Sequence, residues 1–211
     1  MAKPAKAIIL SAGQGKRLSP LTDTRPKCLV ELSGRTVLHW QLKHLAEAGI
    51  TEVVVVTGFA ADTVETEIAG LKIPGLSVRT LFNPFYALTD NLATCWLARG
   101  ELVGDVLLLN GDTLFETAIA ERLIAAPPAP ITVTIDRKAS GYDADDMKVL
   151  TEGLKRWYLS VINQIAQDHG EGGHDVVSTQ SIEGLQWAEM DFPEDLPGNR
   201  ALAAAWVAAG E

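Results

Sequence analysis

Short apolar segments alternate with amphipathic segments through the first two thirds of this chain. The segments typical of β-strands are 5–10, 51–57, 76–82, 105–110 and 131–136, and those with helical spacing are 36–48, 61–69, 91–99 and 118–125. Such alternation predicts a parallel sheet with helices on both of its faces. We therefore expect a three-layer α/β fold with a mixed, mostly parallel sheet.

Ligands of such sheets bind beyond the carboxyl ends of the strands. The loops that follow these ends begin after Leu10, Phe82, Asn110 and Asp136. We expect the functional residues to lie in these loops.

The last third of the chain is less regular. Its residue pattern predicts an acidic segment over 142–149, an amphipathic helix over 155–167 and a glycine-rich loop over 169–174. Two strands, 175–179 and 184–189, and a closing helix over 194–209 complete the expected elements. The sequence contains no internal repeat and no long linker, so we expect a single domain over residues 1–211.

Charge and composition argue for a folded domain and against some classes of binding partner. The 211 residues include 18 Lys and Arg against 27 Asp and Glu, a formal net charge of −9, and 47% are hydrophobic. This balance is typical of a folded domain, and its acidity argues against a nucleic-acid partner. No apolar run approaches the roughly 18 residues of a membrane span. Without a recognisable secretory leader or a C-x-x-C motif, we expect no membrane partner and a cytoplasmic protein with reduced thiols at Cys28 and Cys95.

A glycine-rich segment, 11–18, follows the first predicted strand, and Lys27 comes ten residues after Arg17. Glycines allow positive φ angles and let backbone N–H groups converge on an anion. The segment is not a Walker A loop, because Arg17 stands where Ser or Thr is required after Gly-Lys. It is not a dinucleotide-binding loop either, because Leu18 replaces the third glycine.

Residues 10–29 closely resemble the signature of the nucleotidyltransferases that join a nucleoside triphosphate to a sugar or alcohol phosphate. That signature reads L-A-A-G-x-G-x-R-L-x-P-L-T-x-x-x-P-K-x-L, and this chain departs from it mainly at Ser11. Segments 107–112 (Leu-Leu-Leu-Asn-Gly-Asp) and 187–191 (Trp-Ala-Glu-Met-Asp) resemble two further family markers. The resemblance implies a Rossmann-like fold of the nucleotide-diphospho-sugar transferase type.

The resemblance also implies roles for four charged residues. It assigns Mg²⁺ binding to Asp112 and Asp191, a clamp on the leaving end of the triphosphate to Arg17, and neutralisation of the α-phosphate to Lys27. Mg²⁺ usually takes one or two carboxylates, and a guanidinium suits phosphate oxygens. The implied nucleotide cradle consists of Leu10, Ser11, Ala12, Gly13, Gln14 and Gly15. An aspartate that ends a strand, such as Asp112, is alternatively only a turn or cap residue.

Segment 83–94 lacks the glycine-rich element that many sugar-1-phosphate members of the family carry. It looks more like the phosphocholine cytidylyltransferase branch, which places Asn83, Asn91 and Thr94 in the neighbourhood of the base and ribose. A helix N-cap is the simpler interpretation of Asn91, and the two roles are compatible.

Segment 145–149 also resembles the phosphocholine branch. Lys148 is a candidate partner for a phosphate or phosphonate, and Asp146 for an amine at the other end of the acceptor. Trp157 and Tyr158 could add aromatic faces for a quaternary ammonium. The alternative is a solvated acidic loop followed by an aromatic core helix.

We therefore expect a Mg²⁺-dependent enzyme that transfers CMP from CTP to a small phosphocholine-like alcohol phosphate or phosphonate and releases pyrophosphate. Two alternatives stay open. One is a sugar-1-phosphate nucleotidyltransferase that uses UTP or another triphosphate, and the other is a non-catalytic nucleotide-binding subunit. Between residues 149 and 155 the chain is shorter than the family pattern, which indicates a missing or deleted segment there.

Overall fold

The computed structural model describes residues 5–136, 162 and 176–210. In chain order its strands and helices are β1 (Lys6–Ser11), β2 (Glu31–Leu32), β3 (Arg35–Thr36), α1 (Val37–Glu47), β4 (Glu52–Thr57), α2 (Ala61–Gly70), β5 (Ser77–Phe82), α3 (Asn91–Leu97), β6 (Val106–Asn110), β7 (Thr113–Phe115), α4 (Thr117–Ile124), β8 (Ile131–Ile135), β9 (Val177–Ser181), β10 (Trp187–Glu189) and α5 (Leu196–Ala209). Short 3₁₀ turns lie at Lys16–Leu18, Lys27–Leu29, Ala98–Glu101 and Pro193–Asp195.

Four parallel strands form the central sheet, in the order β5-β4-β1-β6. The inner strands β1 and β4 are apolar runs, as expected for strands that are covered on both faces. Ile9 and Val55 pack in a cluster with residues of α1, α2 and α4, whereas Ile8 and Val54 pack in another with Ala98, which follows α3. The alternation of side chains along a strand thus produces the expected three layers.

A second, smaller core lies between α1, α5 and two short antiparallel strand pairs. The Trp40 and Trp206 rings pack with their centroids 5.5 Å apart, and Leu114 of β7 and Met190 are buried with them. Strand β7 pairs antiparallel with β10, and β2 pairs antiparallel with β3. The pairing of β7 with β10 brings the last quarter of the chain next to the end of β6.

The carboxyl ends of the central strands lie at one edge of the sheet. Ser11 pairs with Thr57, Thr57 with Phe82, and Leu10 with Asn110. Three of the four loops expected to carry functional residues therefore begin along this one edge. The fourth differs, because β8 pairs with β9 in a separate parallel pair rather than with the central sheet in the described residues.

The elements expected in the first two thirds of the chain are confirmed, with ends that move by one or two residues. Helix α3 stops at Leu97 and continues as the 3₁₀ turn Ala98–Glu101. The hairpin of β2 and β3 and the strand β7 were not predicted. The hairpin turns at Ser33 and Gly34, both with positive φ, a conformation that favours tight two-residue turns between strands.

The elements expected near the carboxyl terminus need small corrections. The strand predicted over 175–179 lies at Val177–Ser181, and the one predicted over 184–189 is shortened to Trp187–Glu189 because Gly184 belongs to a turn with φ +81°. The closing helix begins at Leu196, after the 3₁₀ turn Pro193–Asp195.

Three predicted segments, 142–149, 155–167 and 169–174, lie outside the described residues except for Ile162. Within the described ranges, no helix is both long and apolar enough to cross a bilayer.

Candidate active site

The glycine-rich loop leaves β1 at the carboxyl edge of the sheet. Residues 10–12 are buried, Gly13 is exposed, and Gln14 is half-buried. Gly15 has a φ of +73°, and a Cβ atom there would lie 3.1 Å from the Cβ of Lys27. The Thr22 hydroxyl donates a hydrogen bond to the Gly15 carbonyl at 2.7 Å. The loop therefore requires glycine at this turn, where its backbone passes close to Lys27.

Four charged side chains meet beside this loop. Lys27 Nζ donates to Asp112 Oδ2 at 2.8 Å and to Asp191 Oδ1 at 2.6 Å. Arg17 Nη2 donates to the same Asp191 oxygen at 3.2 Å. The Lys27 side chain is 12% exposed and the Arg17 side chain 48%, so Lys27 lies inside the cluster and Arg17 on its solvent side. The structure thus brings together the four charged residues that the sequence singled out.

The position of Asp112 is set by a tight approach of β6 to β1. The Gly111 N–H donates to the Leu10 carbonyl at 2.8 Å. A Cβ atom on Gly111 would lie 2.0 Å from the Ser11 hydroxyl oxygen, closer than real atoms come. Glycine at 111 thus allows the chain to turn directly beside the glycine-rich loop.

Asp191 follows β10 and is tied to Asp112 through the backbone. The Met190 N–H donates to the Asp112 carbonyl at 3.2 Å. The Asp195 carboxylate accepts from the Asp191 N–H at 2.8 Å and from the Phe192 N–H at 2.7 Å, which fixes the turn after β10. The Arg17 guanidinium lies 4.8 Å from the centre of the Phe192 ring, a cation–π contact.

Asn83 and Thr94 are buried near this edge of the sheet, and their side chains are joined by a hydrogen bond. Asn83 is 0% exposed, its Nδ2 donates to Thr94 Oγ1 at 3.1 Å, and its Oδ1 accepts from the Phe85 N–H at 2.8 Å. Thr94 is 4% exposed and donates to the Asp90 carbonyl at 3.0 Å. Both side chains are therefore placed to shape loop 84–90. Their place in the base and ribose neighbourhood stays a prediction.

The Asn91 side chain contacts the end of β6 and does not cap helix α3. The N-cap of α3 is Asp90, without a side-chain hydrogen bond, so the N-cap interpretation of Asn91 is wrong. Asn91 Nδ2 instead donates to the side-chain oxygen of Asn110, at the end of β6, at 3.3 Å. Its role toward a nucleotide stays a prediction. The predicted acceptor residues Asp146 and Lys148 lie outside the described residues.

The loop after β4 also packs on the glycine-rich loop, which the sequence reasoning missed. A Cβ atom on Gly58 would lie 2.5 Å from both the Ala12 carbonyl oxygen and the Tyr86 Cβ. The Phe59 N–H donates to the Ala12 carbonyl at 2.9 Å, and the Phe59 and Tyr86 ring centroids lie 6.4 Å apart. A glycine directly after a buried strand was the available signal.

Cys28 lies next to Lys27 in sequence but takes no part in the charged cluster. It is buried and free of any disulfide, as is expected of a reduced thiol. Burial raises the pKa of the Cys28 thiol to about 11, although a hydrogen bond with Ser11 acts in the opposite direction. The side chain is therefore a neutral thiol near pH 7 and is not a nucleophile.

The family follows from a comparison with known proteins. Residues 6–142, more than half of the chain, match the family described as nucleotidyl transferase. The chain belongs to the nucleotidyl transferase family. The resemblance seen in residues 10–29 is thereby confirmed.

Two relatives of the chain have names that refer to cytidylyl transfer or to a CMP product. The chain is 44% identical over 128 residues to the CMP-5′-(3-aminopropyl)phosphonate synthase of Streptomyces rubellomurinus, covering 61% of this chain and 20% of that protein. It is 32% identical over 111 residues to the choline-phosphate cytidylyltransferase of Streptococcus pneumoniae, covering 53% of this chain and 46% of that protein. The chain thus spans less than half the length of either relative.

A solved structure confirms the fold. The inositol-1-phosphate CTP transferase from T. maritima superimposes with a TM-score of 0.75 over 96% of each chain, at 19% identity. The expected fold of the nucleotide-diphospho-sugar transferase type is therefore correct for this nucleotidyl transferase.

The nucleotidyl transferase family implies a divalent cation such as Mg²⁺, and the acidic pair fits one. A single ammonium, that of Lys27, already bridges Asp112 and Asp191, so both carboxylates can reach one cation. No group of three or more His, Cys, Asp or Glu residues suited to a metal occurs in the described ranges. Two carboxylates are nevertheless sufficient for Mg²⁺, which keeps waters and takes phosphate oxygens as its other ligands.

Proposed function

We propose that this chain transfers CMP from CTP to a small, phosphocholine-like alcohol phosphate or phosphonate with a positively charged nitrogen at its other end, and releases pyrophosphate. The observation that carries the proposal is the cluster in which Lys27 contacts both Asp112 and Asp191 beside the glycine-rich loop. This is the arrangement of charges that a triphosphate and a divalent cation require together. Family membership supports the class of reaction.

The reaction needs positioning and charge neutralisation rather than a general base. An acceptor phosphate has a second pKa near 6 and is mostly dianionic at neutral pH. One of its oxygens attacks the α-phosphorus in line, the bond to the bridging oxygen breaks, and pyrophosphate leaves with that electron pair. Asp112 and Asp191 would hold the Mg²⁺, which supplies positive charge to the phosphate oxygens when bound.

Lys27 and Arg17 have separate places in this reaction. Lys27 donates to the two carboxylate oxygens that a divalent cation would also use, so a bound cation would leave the N–H groups of Lys27 for phosphate oxygens. Arg17 lies on the solvent side, where its planar guanidinium can donate two N–H groups to oxygens of the leaving pyrophosphate. Gly13 is exposed and Gln14 and Gly15 are half-buried, so the backbone of this segment can present N–H groups to the triphosphate.

The proposals of cytosine as the base and of the acceptor class rest on the names of two relatives. The names of both relatives refer to cytidylyl transfer or a CMP product, one with an aminopropylphosphonate and the other with choline phosphate. Both acceptors combine an anionic phosphorus group with a positively charged nitrogen. We take a zwitterion of this kind as the acceptor class, with Asp146 and Lys148 as its proposed partners.

A pyrophosphate-release assay tests the proposal. The four nucleoside triphosphates are each combined with Mg²⁺ and with phosphocholine, 3-aminopropylphosphonate or a sugar 1-phosphate. We expect turnover with CTP and phosphocholine or 3-aminopropylphosphonate, and none with the Asp112→Asn variant. Turnover with sugar 1-phosphates alone would overturn the acceptor class. Nucleotide binding without turnover in any combination would instead favour a non-catalytic nucleotide-binding subunit.

A further inference from the structure

A buried carboxamide spans the turn that carries Asp112. Gln41, in the middle of α1, is 1% exposed. Its Nε2 donates to the carbonyl oxygens of Asn110 and Thr113, both at 2.8 Å. These two carbonyls lie on either side of Asp112 in the chain, so one side-chain amide holds both ends of the turn.

A second buried carboxamide does the same for Asp191. Asn199, in α5, is 2% exposed. Its Nδ2 donates to the carbonyl oxygens of Glu189 and Asp195, both at 3.0 Å. The segment between these carbonyls contains Asp191, whose N–H is also bound by the Asp195 carboxylate.

Neither amide is explained by packing alone. The side-chain oxygens of Gln41 and Asn199 are buried without a hydrogen-bond partner among the described residues. Burying an unpaired amide oxygen costs free energy that an apolar side chain of similar size would avoid. What the amides provide, and an apolar side chain cannot, is the pair of N–H donors.

The two braced turns are also joined to each other. The Met190 N–H donates to the Asp112 carbonyl, and Glu189 pairs with Thr113 in the β7–β10 ladder. Each turn is therefore fixed to its own helix by an amide and to the other turn by the backbone. Partners of this kind, one step removed from a metal, orient its ligands and tune its affinity.

We propose that Gln41 and Asn199 are positioning residues that set the spacing of the Asp112 and Asp191 carboxylates for one shared divalent cation. The inference rests on the function proposed above. Neither side chain touches the reacting groups, and each acts through the backbone of the turn it holds.

Mn²⁺ titration followed by electron paramagnetic resonance tests this proposal. The variants are Gln41→Met and Asn199→Leu, which keep the approximate size and remove both donors. The Mn²⁺ bound by the wild type but not by Asp112→Asn defines the site. We expect each variant to bind this Mn²⁺ at least about tenfold more weakly. Because the two variants act from different helices, either one suffices if the other does not fold.

His44→Leu is the matched control. His44 lies one turn after Gln41 on α1, is fully buried, and donates from Nδ1 to the carbonyl of Phe115, at the far end of β7. We expect all three variants to lower the thermal midpoint of unfolding, because each removes a buried hydrogen bond. His44→Leu should nevertheless leave the Mn²⁺ affinity unchanged. Wild-type Mn²⁺ affinity in both test variants, or an equal loss in His44→Leu, would overturn the positioning role. Absence of site-specific Mn²⁺ in the wild type would overturn the metal assignment itself, and this inference with it.

Discussion

The ammonium of Lys27 lies between the two carboxylates of the charged cluster. The Lys27 stem packs beside Gly15, and the ammonium contacts both Asp112 and Asp191. A divalent cation would use the same carboxylate oxygens, so the ammonium and the metal compete for them. A metal held by these oxygens would leave the Lys27 ammonium available to the phosphates.

Lys27→Met removes the ammonium and keeps most of the stem. Two partly exposed ion pairs stabilise the free site by about 1–2 kcal/mol, so Mn²⁺ binding to the nucleotide-free variant should tighten by about tenfold. The same variant should lose roughly 100-fold in kcat with a smaller change in nucleotide affinity. Mn²⁺ titration and pyrophosphate release measure the two effects.

Either of two results would contradict this account of Lys27. Unchanged Mn²⁺ affinity would mean that the ammonium does not compete for the carboxylates. Equal losses in rate and in nucleotide affinity would mean that Lys27 only anchors the bound nucleotide.

The junction of β1 with β6 permits no side chain at residue 111. A Cβ atom there would meet the Ser11 hydroxyl, the Ser11 Cβ at 2.8 Å and the Leu10 carbonyl oxygen at 3.0 Å. Gly111→Ala should therefore lower the free energy of unfolding by about 1–3 kcal/mol, as overpacking does. Urea unfolding measures the change. The control is Gly70→Ala at the end of α2, where a Cβ atom meets nothing within 4 Å, and an equal loss there would contradict the steric explanation.

An ion-pair network lies at the opposite, amino-terminal side of the central sheet. Arg79 of β5 donates to Glu101 and to Glu52, and Lys6 of β1 donates to Glu101 at 3.3 Å. The hydrogen bond from Arg79, with a weaker one from Lys6, lowers the pKa of the Glu101 carboxyl. A lowered carboxyl pKa stabilises the fold above the unfolded-state value, and that contribution is lost as the pH falls through the folded-state value.

Glu101→Gln should lower the free energy of unfolding at pH 7 by up to about 1 kcal/mol, because the pairs are partly exposed. The difference from the wild type should shrink below about pH 4 and at high salt. Urea unfolding at several pH values measures it. Since the network lies away from the charged cluster, kcat should not change, and a lower kcat would show that the two ends of the sheet are coupled.

The site joins the two cores of the protein. Asp112 follows a strand of the central sheet, whereas Asp191 follows β10 and precedes α5, which packs in the smaller core. A ligand held by both carboxylates should therefore stabilise both cores together. At a concentration of CTP and Mg²⁺ of 100 times the dissociation constant, we expect about 2.7 kcal/mol of added stability in a single unfolding transition. Two calorimetric transitions, only one of which moved with CTP, would show that the cores unfold separately.

The amino-acid sequence was sufficient to predict the alternating strands and helices, the glycine-rich loop after β1 and the family. These features depend on local patterns: hydrophobic periodicity within each segment, and the spacing of Gly15, Arg17 and Lys27 along a short stretch. Gln41 also carried a local signal, since it is a polar residue among the leucines of the buried face of α1. Segment ends were less certain near the carboxyl terminus, where Gly184 shortens a strand.

The family resemblance implied that Asp112 and Asp191 share a metal, but only the folded chain shows the direct contacts of Lys27 with both carboxylates. Lys27 is separated in the sequence from Asp112 by 85 positions and from Asp191 by 164. Sequence patterns do not report the register of β7 on β10 or the helix to which each turn is tied. For the same reason, the sequence did not show that Asn83 and Thr94 face inward or that Gln41 and Asn199 hold the acidic turns. Such contacts arise from packing between distant segments, and local propensity does not determine them.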